Sequence, residues 1–139
     1  MNNDIKQCLF CNIINSKIKH FKIYENNFAY AFLDAFPLSK GHVLIISKQH
    51  FNYFSNTPLL SLSEIIKVTK IIAQKIKTTF KPLGINYLIN EEEFASQKIF
   101  HTHLHIIPKY QNNDGLIFSS KNKRINTLDL ESIQKKIAF

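Results

Sequence analysis

Only two cysteines, Cys8 and Cys11, occur in the 139 residues, too few for a disulfide scaffold. No apolar run approaches the roughly 20 residues of a membrane-spanning helix, and the opening Met-Asn-Asn-Asp-Ile-Lys lacks the apolar stretch of a secretory signal. A cytoplasmic protein without a membrane partner is expected. Arginine-rich blocks are also missing: the formal net charge is +8, but the lysines scatter from Lys6 to Lys136 and the densest basic run is Lys121-Asn122-Lys123-Arg124. Such a surface is solvated and can draw in a small anion, and no specific nucleic-acid partner is expected. Glycine and proline are scarce while Asn, Lys, Ile and Phe abound, a bias that an AT-rich genome also produces. With 45% hydrophobic and 20% charged residues the chain is an ordinary globular one, and its length suits a single domain, 1–139, with no internal repeat.

What the chain does have is His101-Thr102-His103-Leu104-His105-Ile106-Ile107-Pro108. In a strand, alternate side chains point to opposite faces, so His101, His103 and His105 share one face while Thr102, Leu104 and Ile106 share the other. Pro108 is expected to end the strand because it cannot donate to a ladder. Imidazoles roughly 6.5 to 7 Å apart along a strand face can divide the work of attacking a group and bonding its oxygens. A structural His-x-His metal site and chance histidines on a wet strand are the plainer alternatives.

The remaining elements read in order. Cys8-Leu9-Phe10-Cys11 with Ile13 and Ile14 suggests a short amphipathic helix; the cysteines are a metal half-site, a redox pair or two buried thiols, with zinc favoured because no βαβ unit precedes them. Lys22 to Glu25 and Asn27 to Asp34 form a hairpin, and His42 to Ser47 is a strand apolar enough to be buried on both faces. Ser61-Leu62-Ser63-Glu64 fits a capping box with Ser61 as N-cap. Behind it, Leu62, Ile65, Ile66, Thr69, Ile72, Ala73 and Ile76 keep helical spacing to about Phe80, where Lys81-Pro82-Leu83-Gly84 stops the helix. Ile85 to Asn90 is a fourth strand, and Leu128 to Phe139 a terminal amphipathic helix.

With Ala31-Phe32-Leu33-Asp34, Lys40-Gly41-His42-Val43-Leu44-Ile45-Ile46, Asn90 and His101-Thr102-His103-Leu104-His105-Ile106-Ile107 in this order, the chain resembles the histidine triad family of nucleotide hydrolases and transferases. The likeness runs over residues 8 to 110, leaving a tail, 111–139, that in the family shapes substrate choice and the dimer. The fold implied is α+β, an antiparallel sheet of about five strands with one long helix and a short N-terminal helix. The resemblance implies His103 as nucleophile, with His105 and His42 completing the catalytic set. It further implies Asp34 at the ribose, and Asn90, Gln97 and Lys98 at the phosphate. Phe10, Ile14 and Phe32 would cover the base. In the zinc-containing branch, Cys8, Cys11, His50 and His101 would hold a structural zinc with no open position, and no catalytic metal is required. Homodimers are the family's usual state.

The chemistry implied is cleavage at the α-phosphorus of nucleoside phosphoramidates or related conjugates of a purine nucleotide, through a nucleotidyl-histidine. Cleavage of dinucleoside polyphosphates, a non-catalytic nucleotide-binding regulatory module, and a zinc-stabilised interaction domain are the alternatives. Departures from the family fall in one loop. Ser96-Gln97-Lys98 replaces a Gly-Gln-Ser-like segment, and Glu91-Glu92-Glu93 stands where glycine-rich sequence is common. A lysine brings a point charge and cannot copy a neutral hydroxyl, and carboxylates would repel phosphate unless turned to solvent.

Overall fold

The computed structural model describes residues 7–119 and 127–139. Lys121 to Arg124 lie outside the described residues. Helix α1 (Leu9–Ile14) is followed by β1 (Lys22–Glu25), β2 (Ala29–Leu33) and β3 (Val43–Ser47). Helix α2 (Leu59–Phe80), β4 (Gly84–Leu88), β5 (His103–Lys109) and α3 (Thr127–Ile137) follow among the described residues. The five strands make one antiparallel sheet in the order β1-β2-β3-β5-β4, so β5 pairs with both β3 and β4.

Period-two alternation sorts the strand residues into two cores. Ala29, Ala31, Val43, Ile45, Leu104 and Ile106 face α2, where Ile65, Val68, Ile72 and Ile76 close over them. On the opposite face Tyr30, Phe32, Leu44 and Ile46 pack with Phe10 and Ile13 of α1. Every residue of β3 is buried, as its apolar run requires. His103 and His105 alternate with Leu104 and Ile106 and so lie on the α1 side, where an apolar wall already stands.

Three local expectations change. The long helix begins at Leu59 behind Pro58, without a side-chain cap, and Ser61 is a buried helical residue rather than the N-cap. Proline's fixed φ and missing N–H suit it to the start of a helix. Glu64 is spent elsewhere, accepting from Asn26 Nδ2 at 3.0 Å and pairing with Lys67. The buried face consists of Ser61, Ile65, Val68, Thr69, Ile72, Ala73 and Ile76, while Ile66 is 54% exposed. Finally, β5 runs through Pro108 to Lys109. The Pro108 carbonyl accepts from Ser39 Oγ, so its backbone faces the β3 side, where ladder pairing has already ended at Ile106 and no donor is needed.

Ile45 is fully buried in the middle of the central strand. Ile45→Ala is expected to lower unfolding free energy by about 2–5 kcal/mol, against about 0.5 kcal/mol or less for Ile66→Ala, as measured by urea denaturation.

Candidate active site

Backbone groups decide where each imidazole carries its proton. The turn into β3 is closed by the His42 N–H donating to the Ser39 carbonyl at 3.1 Å, and Gly41 takes the φ of +81° that this turn needs. The same turn brings the Leu38 N–H to His42 Nδ1 at 3.1 Å. An N–H only donates, so Nδ1 presents its lone pair and the proton of the neutral ring sits on Nε2. That Nε2 lies 2.9 Å from His105 Nδ1 and 3.5 Å from Asp34 Oδ2. His105 therefore accepts at Nδ1 and carries its own proton on Nε2. His103 is fixed the other way: Nδ1 is 2.6 Å from the His101 carbonyl oxygen, which only accepts, so Nδ1 is protonated and Nε2 is bare. Two rings with centroids 5.0 Å apart thus offer one free lone pair and one free N–H.

Burial keeps these rings neutral. It pushes the His105 pKa down to about 4, with His103 and His42 adding to the shift. It lowers His42 and His103 as well, opposed for both by the Asp34 carboxylate and for His103 also by its bond to the His101 carbonyl.

A cavity of about 390 Å³ opens over His103 and His105. Leu9, Phe10, Ile13, Phe32 and Leu44 form its apolar wall, and Asp34, Asn90, Ser96 and Lys98 are its polar wall. Phe10 stands edge-on to His103, with centroids 5.1 Å apart. Asp34 Oδ1 accepts the Phe36 N–H at 2.8 Å, which orients the carboxylate at the cavity wall. Most of the residues expected at the site therefore converge: His42, His103, His105, Asp34, Asn90, Lys98, Phe10 and Phe32.

Two do not. Ile14 packs into the core behind α1, and Leu9 and Ile13, one turn apart, line the cavity in its place. That i, i+4 spacing was the signal available in the sequence. Gln97 is 2% exposed and fully committed: its Oε1 accepts the Glu92 N–H, and its Nε2 donates to the Asn52 and Ile99 carbonyls. It clasps the loop and offers nothing to a ligand in this conformation. The clasp holds Glu92 and Ser96 at φ of +70°, where glycine is the usual residue. The glutamates do not line the cavity, and Glu91 is turned onto Ser55, whose N–H and Oγ donate to it at 2.9 and 2.6 Å.

The HIT domain model matches residues 15–112. The chain belongs to the HIT domain family. It is 45% identical over 124 residues to an uncharacterised HIT-like protein of Mycoplasma genitalium, covering 88% of each chain. It is 38% identical over 110 residues to the adenosine 5'-monophosphoramidase of Saccharomyces cerevisiae, covering 79% of this chain and 67% of that one. A HIT family protein of Bacillus anthracis, solved by crystallography, matches with a TM-score of 0.89 and 39% identity, each chain 95% covered. The sheet and helices described here are the HIT fold.

Beside the cavity of this HIT domain, Cys8, Cys11, His50 and His101 bring four ligand atoms within 4.8 Å of one another. Cys8 Sγ and Cys11 Sγ lie 3.4 and 3.7 Å from His101 Nδ1, and Cys11 Sγ lies 3.3 Å from His50 Nδ1. Sulfur and nitrogen ligands on a tetrahedral zinc are separated by about 3.6 Å. The protons also suit a metal. His101 Nε2 donates to the Ser47 carbonyl at 2.7 Å and His50 Nε2 to Asn52 Oδ1 at 2.7 Å, leaving both Nδ1 lone pairs directed to the sulfurs. Without an ion, burial and then the neighbouring Cys8 push the Cys11 thiol up to about 12. A cation among these donors would deprotonate it.

The purified protein is expected to carry one zinc per chain by elemental analysis. Chelation should lower its Tm by about 10 °C, and Cys11→Ser should lose the metal while still expressing as a less stable protein.

Proposed function

We propose that this HIT domain hydrolyses nucleotide conjugates at the α-phosphorus, nucleoside phosphoramidates among them, through a covalent intermediate on His103. The observation that carries this is the opposed proton placement on neighbouring rings: a bare Nε2 on His103 and a free Nε2–H on His105 at one cavity. The amidase activity of the yeast relative supports the reaction class.

The apolar wall takes the base, with Phe10 and Phe32 as its aromatic surface. Asp34 accepts hydrogen bonds from the ribose hydroxyls. His103 Nε2 attacks phosphorus; the N–P bond forms as the bond to the leaving group breaks, and the leaving group departs with the electron pair, an amine taking up its proton from solvent. The Nδ1–H bond to the His101 carbonyl steadies the imidazolium as charge builds on it. His105 Nε2–H donates to a phosphoryl oxygen, and Asn90 lines the same wall. Water then attacks phosphorus, the N–P bond breaks, the water proton is lost to solvent, and a nucleoside monophosphate leaves. Cys8, Cys11, His50 and His101 would hold a zinc whose part is structural, tying α1 to the entry of β5. In the same proposal the protein is a cytoplasmic homodimer, with the outer strand β4 offering the edge at which a second copy pairs.

Cleavage of dinucleoside polyphosphates is a second reading of the same nucleophile, favoured by one observation, the cation Lys98 in the cavity wall.

With a fluorogenic adenosine phosphoramidate, His103→Ala should cut turnover by about 10³-fold or more. Acid-free quenching of the wild type should yield a nucleotidyl adduct by mass spectrometry. A variant that retains turnover would remove His103 from the chemistry. Because the imidazole pKa values lie below 6.5, the rings lose function only as pH falls past that value. The acid limb of the kcat/KM profile is therefore expected below pH 6.5, with a level rate from there to neutrality.

A further inference from the structure

Resting on the chemistry just proposed, we infer that Lys98 selects conjugates whose leaving group carries negative charge beside the scissile bond, over conjugates of neutral amines. Three observations place it there. Among the described residues, Lys98 is the one lysine or arginine that lines the His103 cavity, and its ammonium makes no ion pair or hydrogen bond. It also lines an adjoining groove of about 530 Å³, which shares Leu9, Lys98 and Ile99 with the cavity and holds Tyr53 and Phe100 as an edge-to-face aromatic pair. Among the described residues, no aspartate or glutamate lines that groove.

The rest of the cavity is already taken. Base, ribose and phosphorus occupy the apolar wall, Asp34 and His103, which leaves the leaving group the wall that carries Lys98 and opens into the groove. Charge then decides which conjugates do well. A phosphate or carboxylate leaving group keeps or gains negative charge as the bond to phosphorus breaks, and it meets an unpaired cation. An amine gains a proton as it departs, and meets like charge. A cation that contacted only the α-phosphoryl oxygens would help every conjugate equally, so the two placements are separable by experiment.

The test compares two adenosine 5'-phosphoramidates that share an aromatic ring and a P–N bond and differ by one carboxylate, those of phenylalanine and phenethylamine. Diadenosine tetraphosphate is a third arm that presents phosphate instead of carboxylate. Wild type should favour the phenylalanine conjugate by about fivefold or more in kcat/KM, and this preference should shrink as salt rises. Lys98→Gln should bring the ratio to about one, Lys98→Arg should retain it, and Lys98→Glu should reverse it. Preference for the tetraphosphate alone would assign the subsite to phosphate, and preference for both anionic substrates to negative charge in general. A Lys98→Gln variant that slows the two phosphoramidates by the same factor, or neither, overturns the inference while His103-dependent hydrolysis stands. Absence of His103-dependent turnover on all three substrates overturns the hydrolase proposal and this one with it.

Discussion

Each neutral imidazole has one proton to place, and the backbone around β5 leaves no choice about where. The Leu38 N–H, the His101 carbonyl and the Ser47 carbonyl are main-chain groups that can only donate or only accept. Through them the sheet and its entry turns set the tautomers of His42, His103 and His101, and His42 passes the constraint on to His105. A side-chain acceptor would hold a proton less firmly, because a rotamer change could release it. Here a change of tautomer requires the sheet or its entry turns to shift, and β5 is held on both edges by β3 and β4.

His101 joins the two halves of the site. Its ring presents Nδ1 to the two cysteines, while its carbonyl accepts the His103 proton. The Cys/His cluster and the tautomer of His103 thus depend on one residue. Under the proposed chemistry, a closed four-donor cluster with no position for substrate would act on His103 by positioning the His101 backbone. Phe10, between the two cysteines, stands edge-on to both His101 and His103 and couples the same pair through packing.

Periodicity made the strands, the long helix and the histidine face legible in the sequence, while the sheet as a whole was implied by the family resemblance. Alternation in His101 to Ile107 separated a chemical face from a packing face, and that separation is the one between the two cores of the structure. Cys8, Cys11, His50 and His101 were named as a set by the family resemblance, and the structure brings their ligand atoms within 4.8 Å of one another. Tertiary competition was what the sequence concealed. Glu64 matched a capping box locally, yet Asn26 and Lys67 claim its carboxylate, and Pro58 starts the helix earlier. Gln97 matched a phosphate-binding position, yet three backbone groups satisfy its amide. Each set includes one partner far away in sequence, Asn26 for Glu64 and Asn52 for Gln97, and a local pattern holds no information about those two.

Gln97 also accounts for how the loop tolerates residues that glycine would normally replace. Glu92 and Ser96 both hold φ of +70°, a conformation that costs an L-residue on the order of 1–3 kcal/mol when the surroundings impose it. Glu92 and Gln97 bond each other twice, the Glu92 N–H to Gln97 Oε1 and the Gln97 N–H to the Glu92 carbonyl, each bond worth about 1 kcal/mol net. Two such bonds closing one short loop, together with the Gln97 donations to Asn52 and Ile99, are of the size needed to offset the backbone cost. The backbone that carries Ser96 and Lys98 in the polar wall is thereby pinned by hydrogen bonds on either side of Gln97. In the proposed selection, a backbone already pinned leaves only the exposed Lys98 side chain to be ordered when it meets an anion.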